Sequence, residues 1–521
     1  MINRKFKGMN LSEQQDNCLE LFASMNYDET LGIEAGAGAS KTFTMNAIST
    51  LIMPNRRGLY LAYNSVIVEE VKRAFPTYVD VTTTHGLAYS YIGKQYKDRL
   101  KHKLTIKSFI EHYKPTCLKG ALTAQGYASA VMRTVSNYCL SQDSDINESH
   151  VHLIKRFGTQ PDQVAYISHH VMRGAQALWA DMVNVNSNVP TTHDAYLKLF
   201  VLRLEDKTIE LPYEFCMLDE GQDTAPVAQQ LIKLILNCKK AIVGDKWQSI
   251  YEWRGADNAM ANFEFNHQAN LTTCYRFGQN VADLANETLN TRLNANVNFV
   301  GNQTFESEII TDPSKSIADK GRMIITRTNS ALFSELMTSL KNGNKPYLLK
   351  DAEQLHKIVE GVKALKSGHT PNCDELAVFS DWSELKEHTE SDIGGDLAPL
   401  VKAVELHGTN NLSLAMEQVR KQDRNRATEI LTTAHSSKGA EASFVKLGGD
   451  FDQFLSTSDP IQYQAESKLA YVALTRVIKK LDVSQCKALR KLVSPLVTYE
   501  KPTEKSTKRN PTLEALNAFL A

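Results

Sequence analysis

Lys41 and Thr42 end a stretch, GIEAGAGASKT (32–42), whose small residues follow an apolar run and precede a helical pattern. Glycine-rich backbone lets several amide N–H groups converge on phosphate oxygens at a helix N-terminus, while a lysine reaches the terminal phosphates and a hydroxyl meets Mg2+. Ala35, Gly36, Ala37, Gly38, Ala39, Ser40, Lys41 and Thr42 are therefore the candidate phosphate cradle, and Thr42 is also a candidate Mg2+ ligand. The strict pattern GxxxxGK(S/T) fails at both glycines, where Ala35 and Ser40 stand. Ser40 keeps its amide but lacks glycine's freedom at positive φ. Phosphate binding is expected to survive, and the hydrolysis rate is left open. On these residues alone, a glycine-rich turn with an incidental Lys-Thr pair is the competing reading.

Asp219 and Glu220 finish the apolar run in FCMLDEGQDT (215–224). One carboxylate there can hold Mg2+ through water while its neighbour orients and deprotonates an attacking water. An acidic pair after a strand can instead cap a helix, but the upstream loop favours phosphate chemistry. A third stretch, VGDKWQSIYEWRGA (243–256), sets Gln248, Tyr251, Trp253 and Arg254 just after a Gly-Asp turn. Aromatic faces stack on any base, at roughly 1–3 kcal/mol each. Taken alone, a Tyr-x-Trp pair also reads as core packing.

These groups need rigid elements to position them. Apolar, β-branched runs at 30–35, 58–63, 79–84, 214–220 and 239–245 alternate with helical patterns, and a second set follows at 322–328, 428–435, 443–450 and 479–484. Such alternation predicts parallel sheets covered by helices. Two sets imply two lobes. The stretches near 84–214 and 351–427 are too long for simple connections and read as helical insertions. The first insertion opens with Lys94, Lys97, Arg99, Lys101, Lys103 and Lys107 against only Asp98 and Glu111. That run is either a solvated helix face or a phosphate-tracking surface.

Composition narrows the classes. With 59 basic and 59 acidic residues the net charge is +0, so any polyanion site must be local. The eight cysteines form no CxxC pair, which supports neither a zinc site nor a disulfide framework. No apolar run reaches the ~20 residues of a membrane span, and the first residues lack a secretory pattern. The expectation is a cytoplasmic protein without membrane contact. The tail from Lys501 is polar and Pro-punctuated with a short amphipathic end, a candidate docking segment for a protein partner.

Taken in order, these pieces resemble the UvrD/Rep-like branch of superfamily 1 DNA helicases. LSEQQ (11–15) is similar to that branch's Q motif, AGAGASKT (35–42) to motif I, LAYNSVIVEEVKRAFP (61–76) to motif Ia and TTTHGLAY (82–89) to motif Ib. LDEGQDT (218–224) resembles motif II, VGDKWQSIYEWRGA motif III and LTTCYRFG (271–278) motif IV. TTAHSSKGAEASFV (432–445) resembles motif V and AESKLAYVALTR (465–476) motif VI. The resemblance covers nearly the whole chain. Within the branch, LAYN, THDAYLK (192–198), CYRFG, the segment 381–397 and GGDF (448–451) look most like the helicase core of F-box DNA helicases. The Q motif begins ten residues after Met1, so an F-box is not expected, and a bacterial, phage or plasmid relative is. Ser40, the stretch GGDL (394–397), and Ala440 and Ala442 beside Glu441 depart from the pattern and bear on rate and motor efficiency.

The resemblance implies an α/β fold with two RecA-like parallel-sheet lobes, each carrying a mostly helical inserted domain. The implied division is 1–90 with 191–275 for lobe 1, 91–190 for its insertion, 276–350 with 428–500 for lobe 2, 351–427 for its smaller insertion, and 501–521 as a flexible tail. It implies ATP and Mg2+ as cofactors, with Gln15 on the adenine edge, Tyr275 stacked on its face and Glu441 on the ribose. Lys41, Asp219, Glu220, Gln248, Arg276 and Arg476 are the implied catalytic groups, with Asp219 also at the metal and Gln248 sensing the γ-phosphate. Asn64, Thr83, His85, Tyr251, Trp253, Arg254, Thr433 and His435 are the implied DNA-contacting residues; for each histidine alone, a structural role is an equal reading. The implied activity is 3′ to 5′ translocation on single-stranded DNA with unwinding at single/double-strand junctions. A translocase that strips proteins, or works within a complex without unwinding, and an ATP-gated DNA-binding switch are the alternatives.

Overall fold

The computed structural model describes residues 4–115, 124–151, 161–250, 259–316, 318–349, 352–369, 371, 373, 376, 379, 381–389 and 397–493. They fall into two compact units, one drawn from Met1–Ala35 and Lys41–Leu271, the other from Gly36–Ser40 and Thr272–Ala521. The glycine-containing segment 36–40 thus belongs by its contacts to the second unit, although the strand before it and the helix after it belong to the first.

In the first unit, β1 (Lys5–Phe6) and β2 (Met9–Asn10) form an antiparallel hairpin whose turn residues, Lys7 and Gly8, have φ of 50° and 80°. Paired positive φ values suit a two-residue hairpin turn. A six-stranded sheet follows, built from β3 (Thr30–Ala35), β4 (Gly58–Ala62), β5 (Val79–Thr83), β6 (Phe215–Leu218), β7 (Lys239–Gly244) and β8 (His267–Leu271). Its order is β5-β4-β6-β7-β3-β8 and every pairing is parallel. The five apolar runs each hold one strand. The sixth, β8, escapes a sequence reading because HQANL buries only Ala269 and Leu271, as a half-exposed edge strand does.

Between β5 and β6 the described chain is helical, with Thr84–Tyr91, Ile106–Tyr113, Ala124–Leu140, Pro161–Val183 and His193–Glu205. Phe109, Val131, Val135, Ile167, Val171 and Leu178 give these helices a core of their own. Arg99 is held there by the carbonyls of Asp181, Met182, Asn184 and Val189. It therefore neutralises a helix C-terminus and takes no part in a phosphate-tracking face. Lys94, Lys97, Lys101, Lys103 and Lys107 are exposed.

The second unit holds a parallel pair, β9 (Thr273–Gly278) with β10 (Val300–Asn302), and a second six-stranded parallel sheet. That sheet comprises β11 (Glu308–Ile310), β12 (Arg322–Thr326), β13 (Pro346–Leu348), β14 (Glu429–Thr433), β15 (Ala442–Leu447) and β16 (Val477–Asp482), in the order β11-β16-β15-β12-β14-β13. The three-residue edges β11 and β13 are too short to show periodicity. The helices Ala352–Lys366, Trp382–Thr389, Ala398–His407 and Thr409–Val419 between β13 and β14 bury Val359, Leu385, Val404 and Met416 against Leu332 and Leu336. Both lobes are mixed α/β with parallel strands, as expected. No described helix is long and apolar enough to cross a membrane. The seven described cysteines are free and buried.

Candidate nucleotide and nucleic-acid site

Loop 36–40 leaves β3 and enters the helix Lys41–Leu51. Gly38 has φ 69°, and a Cβ on it would lie 2.7 Å from the Arg276 side chain, so glycine is required both for conformation and for space. Ser40 has φ 57°. Serine lacks glycine's freedom there, yet the loop imposes the left-handed conformation, at roughly 1–2 kcal/mol for a residue bearing Cβ.

In the first unit, Lys41 Nζ lies 2.8 Å from Glu220 Oε1. Burial pulls the Lys41 ammonium down, but the carboxylates of Glu220, Asp219 and Asp245 outweigh it and hold its pKa above the usual lysine value. Asp219 moves up because it is buried and because Glu220 is adjacent, with Lys41 and the Tyr60 hydroxyl opposing. Tyr60 donates to Asp219 Oδ2 at 2.5 Å, and Thr42 Oγ1 donates to the same oxygen at 3.4 Å. Glu220 itself has φ 52°, a left-handed kink that turns the chain directly after β6.

Three carboxylates face one ammonium here, an excess of negative charge that suits a divalent cation. The Thr42 and Asp219 oxygens are separated by little more than the about 2.9 Å edge of an octahedron with Mg2+–O bonds of 2.0–2.1 Å. No described group of three or more His, Cys, Asp or Glu is arranged to hold a metal alone. That is compatible with Mg2+, which takes one or two protein oxygens and completes its shell with water and phosphate.

Gln248 is buried and donates to Asp245 Oδ2 at 2.7 Å. The Asp245 amide donates to Gln222 Oε1, and Gln222 Nε2 donates to Glu220 Oε2 at 2.5 Å. A continuous hydrogen-bonded path thus joins Gln248 to Glu220. Asp245, Gln222 and Tyr60 were absent from the sequence candidates. Asp245 and Gln222 sit inside quoted motifs, where their burial could not be read. Gln15 is buried in a capping box: Ser12 Oγ accepts from its amide, and its own Oε1 accepts from Ser12 N at 3.0 Å. Only its side-chain NH2 is left to read a base edge.

In the second unit, Arg276 donates from Nε to Glu441 Oε2 at 2.7 Å and from NH1 to the Thr475 carbonyl at 3.1 Å. Arg476 is buried and donates to the Val472 carbonyl and to Thr475 Oγ1. The Tyr275 amide donates to the Gly38 carbonyl at 2.9 Å. Sequence motifs far apart therefore meet around the end of the helix Pro460–Leu474.

The DNA-contacting candidates divide. Asn64 caps the helix Ser65–Ala74 and Thr83 caps Thr84–Tyr91, so their oxygens serve local structure. His85 Nε2 lies 2.9 Å from Asp194 Oδ1, and both remain about two-fifths exposed, at 40% and 42%. Thr433 ends β14 and bonds Ser436, two residues from the half-buried His435. Tyr251, Trp253 and Arg254 lie outside the described residues, as does the 501–521 tail.

Residues 19–269 match the model of the UvrD/REP helicase N-terminal domain. Over that stretch, just under half of its length, the chain is similar to the UvrD/Rep-like helicases. F-box DNA helicase protein 1 of Schizosaccharomyces pombe is 28% identical over 511 residues, covering 90% of this chain and 57% of that protein. F-box DNA helicase 1 of Gallus gallus is 25% identical over 493 residues, covering 87% of this chain and 47% of that protein. The ATP-dependent DNA helicase PcrA of Leuconostoc citreum is 40% identical over 85 residues, 15% of this chain and 11% of that protein. The chain thus spans about half the length of the F-box helicases it matches.

Proposed function

We propose that this chain hydrolyses ATP to move 3′ to 5′ along single-stranded DNA and to separate duplex ahead of it. The observation that carries the reading is the cluster of Lys41, Thr42, Asp219 and Glu220 at the head of a glycine-rich loop, joined through Gln222 and Asp245 to Gln248. Lys41 binds the terminal phosphates. Glu220 accepts the proton of the attacking water, and Gln222 Nε2 fixes one of its oxygens. Thr42 and Asp219 are the residues that would hold Mg2+, which when bound offsets charge on the phosphate oxygens. Arg276 and Arg476 supply the positive charge that phosphoryl transfer demands, an effect worth about 10³–10⁵ in rate for an arginine finger. Gln15, Tyr275 and Glu441 hold the nucleoside.

Coupling to the track runs through Gln248, because a group bonded toward the catalytic carboxylate lies three residues before Tyr251 and five before Trp253. Stacking on bases by these aromatics is sequence-tolerant, which suits a motor that must pass any sequence.

The test is ATPase and strand displacement on matched 3′-tailed, 5′-tailed and RNA substrates. Hydrolysis stimulated by single-stranded DNA, with displacement only from the 3′ tail, is the expected result. An ATPase rate that ignores DNA would remove the coupling. Stimulated hydrolysis that clears bound protein without strand separation would leave the stripping translocase, and hydrolysis independent of track length the ATP-gated switch. Trp253→Ala is expected to keep basal hydrolysis and to lose most of the DNA stimulation.

A further inference from the structure

One turn of helix in the second unit collects groups from four separate parts of the chain. The Ala37 amide of the phosphate loop donates to the Tyr471 hydroxyl at 3.2 Å, in a buried setting. Tyr471 is fully buried and stacks on Phe299 with ring centroids 6.2 Å apart. Phe299 in turn lies so close beneath Gly36 that a Cβ there would meet its ring at 2.7 Å. Four residues on, Thr475 Oγ1 donates to the Tyr471 carbonyl at 2.8 Å and accepts from Arg476 at 3.2 Å. The Thr475 carbonyl takes the Arg276 guanidinium at 3.1 Å.

We propose that Tyr471 and Thr475 are positioning residues that set Arg276 and Arg476 relative to the phosphate loop. The physical reason is the length of the arginine side chain. A guanidinium on a flexible stem delivers charge to a developing oxyanion only if its fork is already aimed. Thr475 aims both forks, one by its carbonyl and one by its hydroxyl. Tyr471 anchors the same turn to the loop through the Ala37 amide, and its ring is fixed from behind by Phe299. Neither residue is assigned to contact nucleotide; both act through others. The inference rests on the proposed ATPase reading.

The test uses the full chain with an oligothymidine activator, reading kcat and KM for ATP, binding of a fluorescent ATP analogue, and the thermal midpoint. Tyr471→Phe keeps the ring and removes the hydroxyl; Thr475→Val keeps the shape and removes the hydroxyl, and Thr475→Ser restores it. Misplacement by an ångström can cost about 10²-fold, so a fall in kcat of about tenfold or more is expected in Tyr471→Phe and Thr475→Val. Nucleotide binding should stay within about twofold, and Thr475→Ser should recover most of the rate. The combined Tyr471→Phe/Thr475→Val variant should fall less than the product of the single losses, since both act on the same turn. Unchanged kcat in both single variants, an equal loss in Thr475→Ser, or a loss that follows the thermal midpoint overturns the proposal. A wild-type chain without ATPase activity overturns the functional reading as well, whereas an active wild type with unaffected variants overturns this inference alone.

Discussion

Lys41 Nζ and Glu220 Oε1 are 2.8 Å apart, with the two side chains only 13% and 21% exposed. The ammonium expected to bind phosphate is thus held by the carboxylate expected to take a proton from water, and binding of nucleotide requires the lysine to exchange one anion for another. Such an exchange costs little when the incoming phosphate replaces the lost Coulomb partner in the same low-dielectric setting.

Glu220→Gln removes the proposed base and the lysine's partner together. ATP hydrolysis should fall by about 10²–10⁴, the usual contribution of a positioned acid or base. Nucleotide binding should be retained or tightened, because Lys41 no longer has to leave Glu220. Lys41→Ala should lose both binding and hydrolysis. Binding isotherms beside steady-state rates separate the two.

Asp219 is raised above its ordinary value of 3.8 by burial first and by Glu220 second. Between 3.8 and the higher folded-state value, the folded protein holds a proton that the unfolded chain has released. Stability therefore falls as pH rises through that window. Asp219→Asn should abolish this dependence and raise stability at neutral pH by roughly 0.5–2 kcal/mol, at the expense of activity. Thermal midpoints of both proteins from pH 4 upward are the measurement.

Ser40 occupies the left-handed region at φ 57°. Ser40→Gly removes a strain of roughly 1–2 kcal/mol and adds about 0.5–1 kcal/mol of unfolded-state freedom. The net change should be a small gain in stability, together with a faster hydrolysis step from an unstrained loop. Ser40→Val, β-branched, should destabilise clearly. Thermal midpoints and single-turnover rates of the pair give the sign.

Arg276 and Glu441 form an ion pair with exposures of 22% and 35%. At that exposure the pair should contribute no more than about 1 kcal/mol to stability, so Glu441→Gln should shift the thermal midpoint little. It should raise the KM for ATP, while Arg276→Lys should lower kcat because a lysine cannot hold both Glu441 and the Thr475 carbonyl. A double-mutant cycle on kcat/KM should be non-additive.

The strands that carry the site were legible because burial on both faces writes a continuous apolar run. TLGIEA coincides with β3, and the runs at 58–63, 79–84, 239–245 and 322–328 each contain a strand. The clustering of Lys41, Thr42, Asp219 and Glu220 was legible too, because each pair is adjacent in sequence and comes shortly after a strand. The edge strands β8, β11 and β13 were not, since a half-solvated or three-residue segment carries too few buried positions to show a period.

The sequence by itself determined which groups the molecule possesses and the order in which parallel strands present them, for those depend on local pattern. Tertiary structure alone decided their partners. It drew Gln222 between Asp245 and Glu220, paired Arg276 with Glu441, and brought Tyr471 to the Ala37 amide across 434 residues of chain. A hydrogen bond depends on distance and direction in space, and sequence separation carries no information about either once the chain has doubled back through two sheets.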